Sequence, residues 1–207
     1  MLKRFASIIL LLFPLIAAAE DFVAGKDYEL ISGYSKSTAR SPKIVVTEFF
    51  SYGCPWCYRI DPQLMDWVKK QANHIQFTQV PVVFNKDWVI YAKAYYTAKH
   101  LNLDSQLTPL LFKAIQAKGE HGLNSNQAMI DFFTAQGVKP EIAKNAFENS
   151  TTIDMDVNQG MLLMSRYHVN GVPAVVVNNQ FKTDLQMAKD PVRFIQILDF
   201  LVAKAGE

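Results

Sequence analysis

The chain has 207 residues, 50% of them hydrophobic and 12% aromatic, with 21 basic and 19 acidic side chains and a net charge of +2. That is enough apolar material for one domain, or one domain carrying an insertion, and the even charge argues against nucleic acid or an anionic membrane surface as partner. The sequence contains no internal repeat and no low-complexity tract.

At the N-terminus, Lys3 and Arg4 precede a twelve-residue apolar run, Phe5 to Ile16, and then Ala17-Ala18-Ala19. This is the pattern of a secretory signal peptide, residues 1–19, cleaved after Ala19. A membrane anchor fits poorly, because twelve helical residues rise only about 18 Å against a hydrocarbon core of about 30 Å. No cysteine follows the cleavage site, which argues against lipid attachment there. Cleavage would leave 19 basic and 19 acidic residues, a net charge of zero.

Beyond the signal, Tyr28 to Ser32 is a short strand candidate, and Lys43 to Ser51 (KIVVTEFFS) has the branched and aromatic content of a buried strand. Tyr52-Gly53 breaks that run, and Pro55 suits the first turn of a helix, where its missing N–H would have no partner anyway. The helix is expected to continue through Pro62 to Asn73, and Ile75 to Phe84 to form a second core strand despite Pro81, giving a βαβ unit with a parallel core. From Trp88 to Tyr167 the spacing is helical, with breaks near Asn102, Gly119 to Asn124, Gly137 to Pro140 and Ser150. Segments beginning at Thr108 and at Ser125 start with capping residues and end at glycine. Ala174 to Phe181 reads as a strand pair turning at Asn178-Asn179, and Asp190-Pro191 opens a final helix through Leu201. Tyr91, Tyr95 and Tyr96 recur at helical spacing and are assigned to the core. Packing and an adaptable binding surface account equally well for Met155, Met161 and Met164.

Cys54-Pro55-Trp56-Cys57 holds the only two cysteines. They can bridge only each other or exchange with another molecule. A four-residue loop gains little from closure entropy, so stapling is a poor explanation, and a zinc site wants four ligands where this motif supplies two. His74, His100, His121 and His168 are scattered singly. Cys54 sits at a helix N-terminus, where unpaired N–H groups and the macrodipole favour thiolate over thiol. Cys57, one turn further in, is expected to be more buried, so Cys54 is the attacking and attacked sulfur and Cys57 the resolving one.

These residues resemble those of a known family, the DsbA family of periplasmic thiol:disulfide oxidoreductases within the thioredoxin-like superfamily. The resemblance rests on EFFSYGCPWCY (Glu48 to Tyr58) and GVPA (Gly171 to Ala174), with matching segment order across most of the mature chain. It implies an α/β thioredoxin-like fold with an inserted all-helical domain, divided as residues 20–86, a helical insertion at 87–168, and 169–207. It further implies a cis Val172–Pro173 bond against the cysteine pair, with Val172 and Pro173 in contact with an extended substrate. At Glu48 it implies an acid beneath the cysteines that helps move the proton of the resolving thiol. An acid on the exposed face of a half-buried strand is the alternative for Glu48. Asp61 falls at another acidic position of the family but reads as a helix-surface charge. Pro55 and Trp56 lie between the cysteines and are expected to tune their redox strength. Trp56 departs from the family, whose best-known members carry histidine there, and indole is neutral with a single donor.

The expected function is thiol:disulfide interchange in the periplasm, in which the Cys54–Cys57 disulfide is donated to newly exported, unfolded proteins with free cysteines. The resemblance implies a membrane reoxidation partner of the DsbB type and neither a dissociable cofactor nor a metal. A disulfide isomerase or reductase of the same fold is a second reading. Isomerases of this kind usually carry an N-terminal dimerisation domain, and the 34 residues between Ala19 and Cys54 are too few for one, which favours a monomer. A peptide-binding chaperone with an inherited bridge is a third.

Overall fold

A computed structural model describes residues 22–32, 43–117 and 123–207. The expected signal peptide, Ser41-Pro42 and His121 lie outside them. Within them the chain builds β1 (Glu29–Leu30), β2 (Ile44–Phe50), α1 (Pro55–Lys70) and β3 (Ile75–Pro81). Five helices follow, α2 (Lys86–His100), α3 (Asp104–Ala117), α4 (Asn126–Ala135), α5 (Pro140–Glu148) and α6 (Thr151–Arg166). The chain closes with β4 (Ala174–Val177), β5 (Phe181–Asp184), α7 (Leu185–Ala188) and α8 (Pro191–Ala205).

The five strands form one sheet in the order β1-β5-β4-β2-β3. β2 and β3 run parallel around the α1 crossover, while β4 pairs antiparallel with both β2 and β5. β2 is therefore internal, and alternation along it divides the core. Val46 packs with Ile60, Leu64 and Trp67 of α1 and with Ile197, Leu198 and Leu201 of α8. Phe49 faces the other way, toward Val80, Tyr167 and Val176. Period two places Glu48 on the Val46 face, under α1. The buried stripe Cys57, Ile60, Leu64, Trp67 has helical spacing, and the Trp67 indole donates to Asp199 Oδ1 at 2.7 Å, tying α1 to α8. Removing the Leu64 side chain from this contact should cost about 2–5 kcal/mol.

Several element boundaries differ from the sequence expectation. β3 stops at Pro81, three residues early, and it is an edge strand, the position in which a sheet tolerates proline. α1 ends at Lys70. α3 begins at Asp104, not Thr108, and the Thr108 hydroxyl, one turn inside the helix, bonds Tyr52 Oη at 2.9 Å. Ser125 does cap α4, bonding Ala128 N at 3.2 Å. Asn178 and Asn179 both adopt positive φ in the β4–β5 turn. β5 then runs on to Asp184, which caps the unanticipated α7 through Met187 N at 2.7 Å. Asp190 caps α8 through Val192 and Arg193, and that helix extends to Ala205.

The helices α2–α6 have their own core, which includes Tyr91, Tyr95, Leu111, Phe133 and Phe147 and extends to Phe50, Tyr52, Cys54 and Cys57. The cysteine pair thus lies where the helical core meets the sheet. Met155 and Met161 are exposed on α6, whereas Met164 packs beside Tyr167.

Candidate active site

Cys54 is the N-cap of α1, with φ −90° and ψ 114°, and its sulfur accepts the Cys57 N–H at 3.2 Å. Pro55 occupies the first helical position, as its ring geometry favours. Cys54 is 5% exposed and Cys57 1%. The Cys54 thiol is held below its ordinary value, chiefly by a hydrogen bond from the Cys57 thiol and further by the backbone N–H groups of Cys57 and Trp56, against the opposing effect of burial. Helix-terminal N–H groups therefore contribute as the sequence implied, but the partner thiol contributes more. Cys57 is pushed the opposite way, first by burial, then by its bond to Cys54 and by the charges of Cys54 and Glu48, with Ser51 N–H partly offsetting. One sulfur is thus stabilised as an anion and the other as a thiol.

The cis Val172–Pro173 bond lies against this pair, with Val172 O 3.4 Å from Cys54 Sγ. This contact suits the neutral thiol and opposes the thiolate. Beneath the pair, Glu48 is 2% exposed, and its Oε2 accepts from Gln79 Nε2 at 2.8 Å. Parallel pairing sets these two residues side by side. Burial, aided by the charges of Asp61 and Cys54 against the Gln79 bond, pushes Glu48 up from 4.5 to about 8. At neutral pH it is mostly a protonated acid. Asp61 is a correction to the sequence reading. It is half-buried, not a surface charge, and burial raises it to about 6.

Trp56 is 50% exposed and carries the Arg59 guanidinium 4.7 Å above its ring. Beside it opens a groove of about 620 Å³ whose walls include Gly171, Val172, Pro173, Leu185 and Pro191. Every residue that the motifs single out, Glu48, Cys54, Pro55, Trp56, Cys57, Val172 and Pro173, falls in or against this one site. Among the described residues no group of three or more His, Cys, Asp or Glu side chains is placed to hold a metal ion.

The sequence matches the DSBA-like thioredoxin domain over residues 45–196. The chain belongs to the DsbA-like thioredoxin-domain family. The thiol:disulfide interchange protein DsbA of Burkholderia cepacia is 38% identical over 184 residues, 89% of this chain and 86% of the relative. That of Pseudomonas syringae pv. tomato is 33% identical over 90% of this chain and 86% of its own length. The crystal structure of Pseudomonas aeruginosa DsbA superposes with a TM-score of 0.81 at 29% identity, covering 90% of this chain and 95% of that one. The oxidoreductase DsbA of Xylella fastidiosa gives 0.76 at 28% identity over 88% and 96%. The fold is accordingly thioredoxin-like with a helical insertion, and the chain is a thiol:disulfide oxidoreductase of the DsbA-like family.

Sequence reasoning missed Gln79, Leu185 and the α3 residues that reach the turn before Cys54. Gln79 was foreseeable from strand register, since a polar residue opposite Glu48 is its natural partner. No local pattern marks Leu185, which belongs to a short helix after β5 and comes near Trp56 only through the fold.

Proposed function

We propose that the protein oxidises cysteine pairs of newly exported proteins in the periplasm by donating a Cys54–Cys57 disulfide. The observation that carries this reading is the opposed placement of the two thiols, Cys54 favoured as thiolate at the mouth and Cys57 as thiol beneath it. A substrate thiolate attacks Cys54 Sγ, the Cys54–Cys57 bond breaks, and Cys57 leaves with the electron pair. Glu48, protonated near neutrality, supplies the proton that Cys57 takes up. A second substrate thiolate then attacks the substrate sulfur of the mixed disulfide and expels Cys54 as a thiolate. The substrate loses two electrons to the protein and two protons to solvent, and one proton returns from solvent to restore Glu48, while Cys54 stays a thiolate.

Val172 and Pro173 are assigned to substrate contact. Pro173 has no N–H, and the Val172 carbonyl beside Cys54 offers an acceptor to an extended peptide. Pro55 starts the helix that stabilises the thiolate, and Trp56 tunes it while widening the apolar wall of the groove. Residues 20–86 and 169–207 form the redox unit and 87–168 its insertion. The chain acts as a monomer after loss of residues 1–19, needs no dissociable cofactor, and is reoxidised by a DsbB-type membrane partner. No helix among the described residues is long and apolar enough to cross a membrane.

The test is oxidative refolding of a reduced multi-cysteine protein by the intact chain and by Cys54→Ala. Loss of oxidation in the variant supports the oxidase. Equal oxidation by both overturns it.

A further inference from the structure

The turn that delivers Cys54 to the head of α1 is held from outside by the helical insertion. Within Ser51–Cys54, the Cys54 N–H donates to Ser51 O at 3.0 Å and the Gly53 N–H to Ser51 Oγ at 3.1 Å. That leaves the carbonyl at the centre of the turn, Tyr52 O, without a partner of its own. It accepts from Gln116 Nε2 of α3 at 2.6 Å, a bond spanning 64 residues of sequence.

Such a bond matters because the residue after the central peptide is glycine. A β-turn can exchange its central peptide orientation by rotating that carbonyl about half a turn, provided the following residue accepts positive φ. Gly53 lies outside the positive-φ region here, yet glycine enters it without steric cost. Substitution cannot remove this freedom, since the Trp88 indole occupies the space a Cβ at Gly53 would need. The same turn serves both sulfurs, because Cys54 ends it and the Ser51 N–H bonds to Cys57.

We propose that Gln116 is a positioning residue for the nucleophile, its side-chain amide fixing the Tyr52–Gly53 peptide and thereby the place of Cys54 at the start of α1. The Tyr52 side chain is held independently, by Thr108 Oγ1 at 2.9 Å and by the Phe112 ring at 4.9 Å between centroids, so within the peptide Gln116 holds the carbonyl while Ser51 Oγ holds the N–H. Without it a buried carbonyl is stranded, and the turn populates the alternative in which the N–H groups of Trp56 and Cys57 no longer converge on one sulfur position. The inference rests on Cys54 being the exchanging thiol.

The experiment compares the reduced full chain with Gln116→Met, which keeps side-chain length and removes the donor, and with Thr108→Val, which removes a buried bond to the same tyrosine without touching the peptide. Thiolate absorbance is titrated, and the rate of attack on oxidised glutathione is measured at a pH below the wild-type midpoint. Gln116→Met should raise the Cys54 midpoint and slow attack at least about threefold, on the scale of one lost hydrogen bond. Thr108→Val should lower melting temperature while leaving midpoint and rate unchanged. An unchanged midpoint and rate in Gln116→Met, or equal shifts in both variants, would overturn the proposal. In the unaltered protein the Gln116 side-chain amide protons should exchange slowly with solvent, and exchange at the rate of an exposed amide would also overturn it. A wild-type chain with no reactive thiolate at Cys54 would overturn this proposal and the oxidase reading together, whereas normal wild-type exchange with an inert Gln116→Met overturns only this one.

Discussion

The mouth and the floor of the cysteine site are built on contrasting principles. At the mouth, Cys54 accepts from the Cys57 thiol and from the Cys57 and Trp56 N–H groups at a helix start, with half-exposed Trp56 and the groove beside it. On the floor, Cys57, Glu48 and Asp61 share a space where burial is the leading influence on each. Donors stabilise an anion, and burial stabilises the protonated form. The contrast teaches that four consecutive residues can carry two thiols of opposite character because the helix axis runs from one environment into the other.

The largest disturbance is to remove the floor sulfur. Cys57→Ala should abolish turnover and trap substrate on Cys54 as a stable mixed disulfide, detectable as an added mass. It should also raise the Cys54 midpoint, because the Cys57 thiol is the first cause of its depression. An unchanged midpoint would mean that the helix terminus alone makes the mouth reactive.

Glu48→Gln sharpens the floor. The wild-type carboxyl goes from 4.5 in the unfolded chain to about 8 when folded, so the native state binds the extra proton and stability declines as pH rises across that interval. The variant should lack this decline, matching wild type below about pH 4.5 and exceeding it by up to roughly 5 kcal/mol above pH 8, read from denaturant midpoints. It should also slow release of Cys57 about tenfold, read from single-turnover decay of the mixed disulfide. Wild-type stability that is flat with pH would show that Glu48 is not the buried acid described.

Trp56→His tests the mouth. Imidazolium beside the thiolate should raise the reduction potential by about 30 mV, a tenfold change for a two-electron couple, while weakening binding of apolar peptides. Potential and binding moving together in one direction would separate neither role. Asp61→Asn should have the smallest effect. Removing its charge lets Glu48 ionise at a slightly lower pH, shifting the pH profile of resolution downward with little change in its maximum.

Much of this contrast is legible in the sequence, and the illegible part has a common cause. Export pattern, strand, broken turn and helix-initial C-x-x-C identify the mouth from local rules, and Cys54 and Cys57 need nothing else. Helix breaks at Asn102, Gly137 and Ser150 fall where α2, α4 and α5 end or nearly so, because capping chemistry is local. The errors arise where tertiary contacts outrank local preference. Thr108 looks like a cap and is used as a partner for Tyr52, Asp61 looks like a surface charge and is half-buried, and Gln79 acquires meaning only beside Glu48. The order of influences on Cys54 was likewise hidden, since the weight of the Cys57 thiol depends on where its sulfur points.

The most direct measurement is equilibration of the chain against glutathione buffers to obtain the reduction potential of the Cys54–Cys57 pair. A stabilised Cys54 thiolate favours the reduced form, so a potential well above the roughly −270 mV of reducing thioredoxins is expected. A value at or below that level would contradict it.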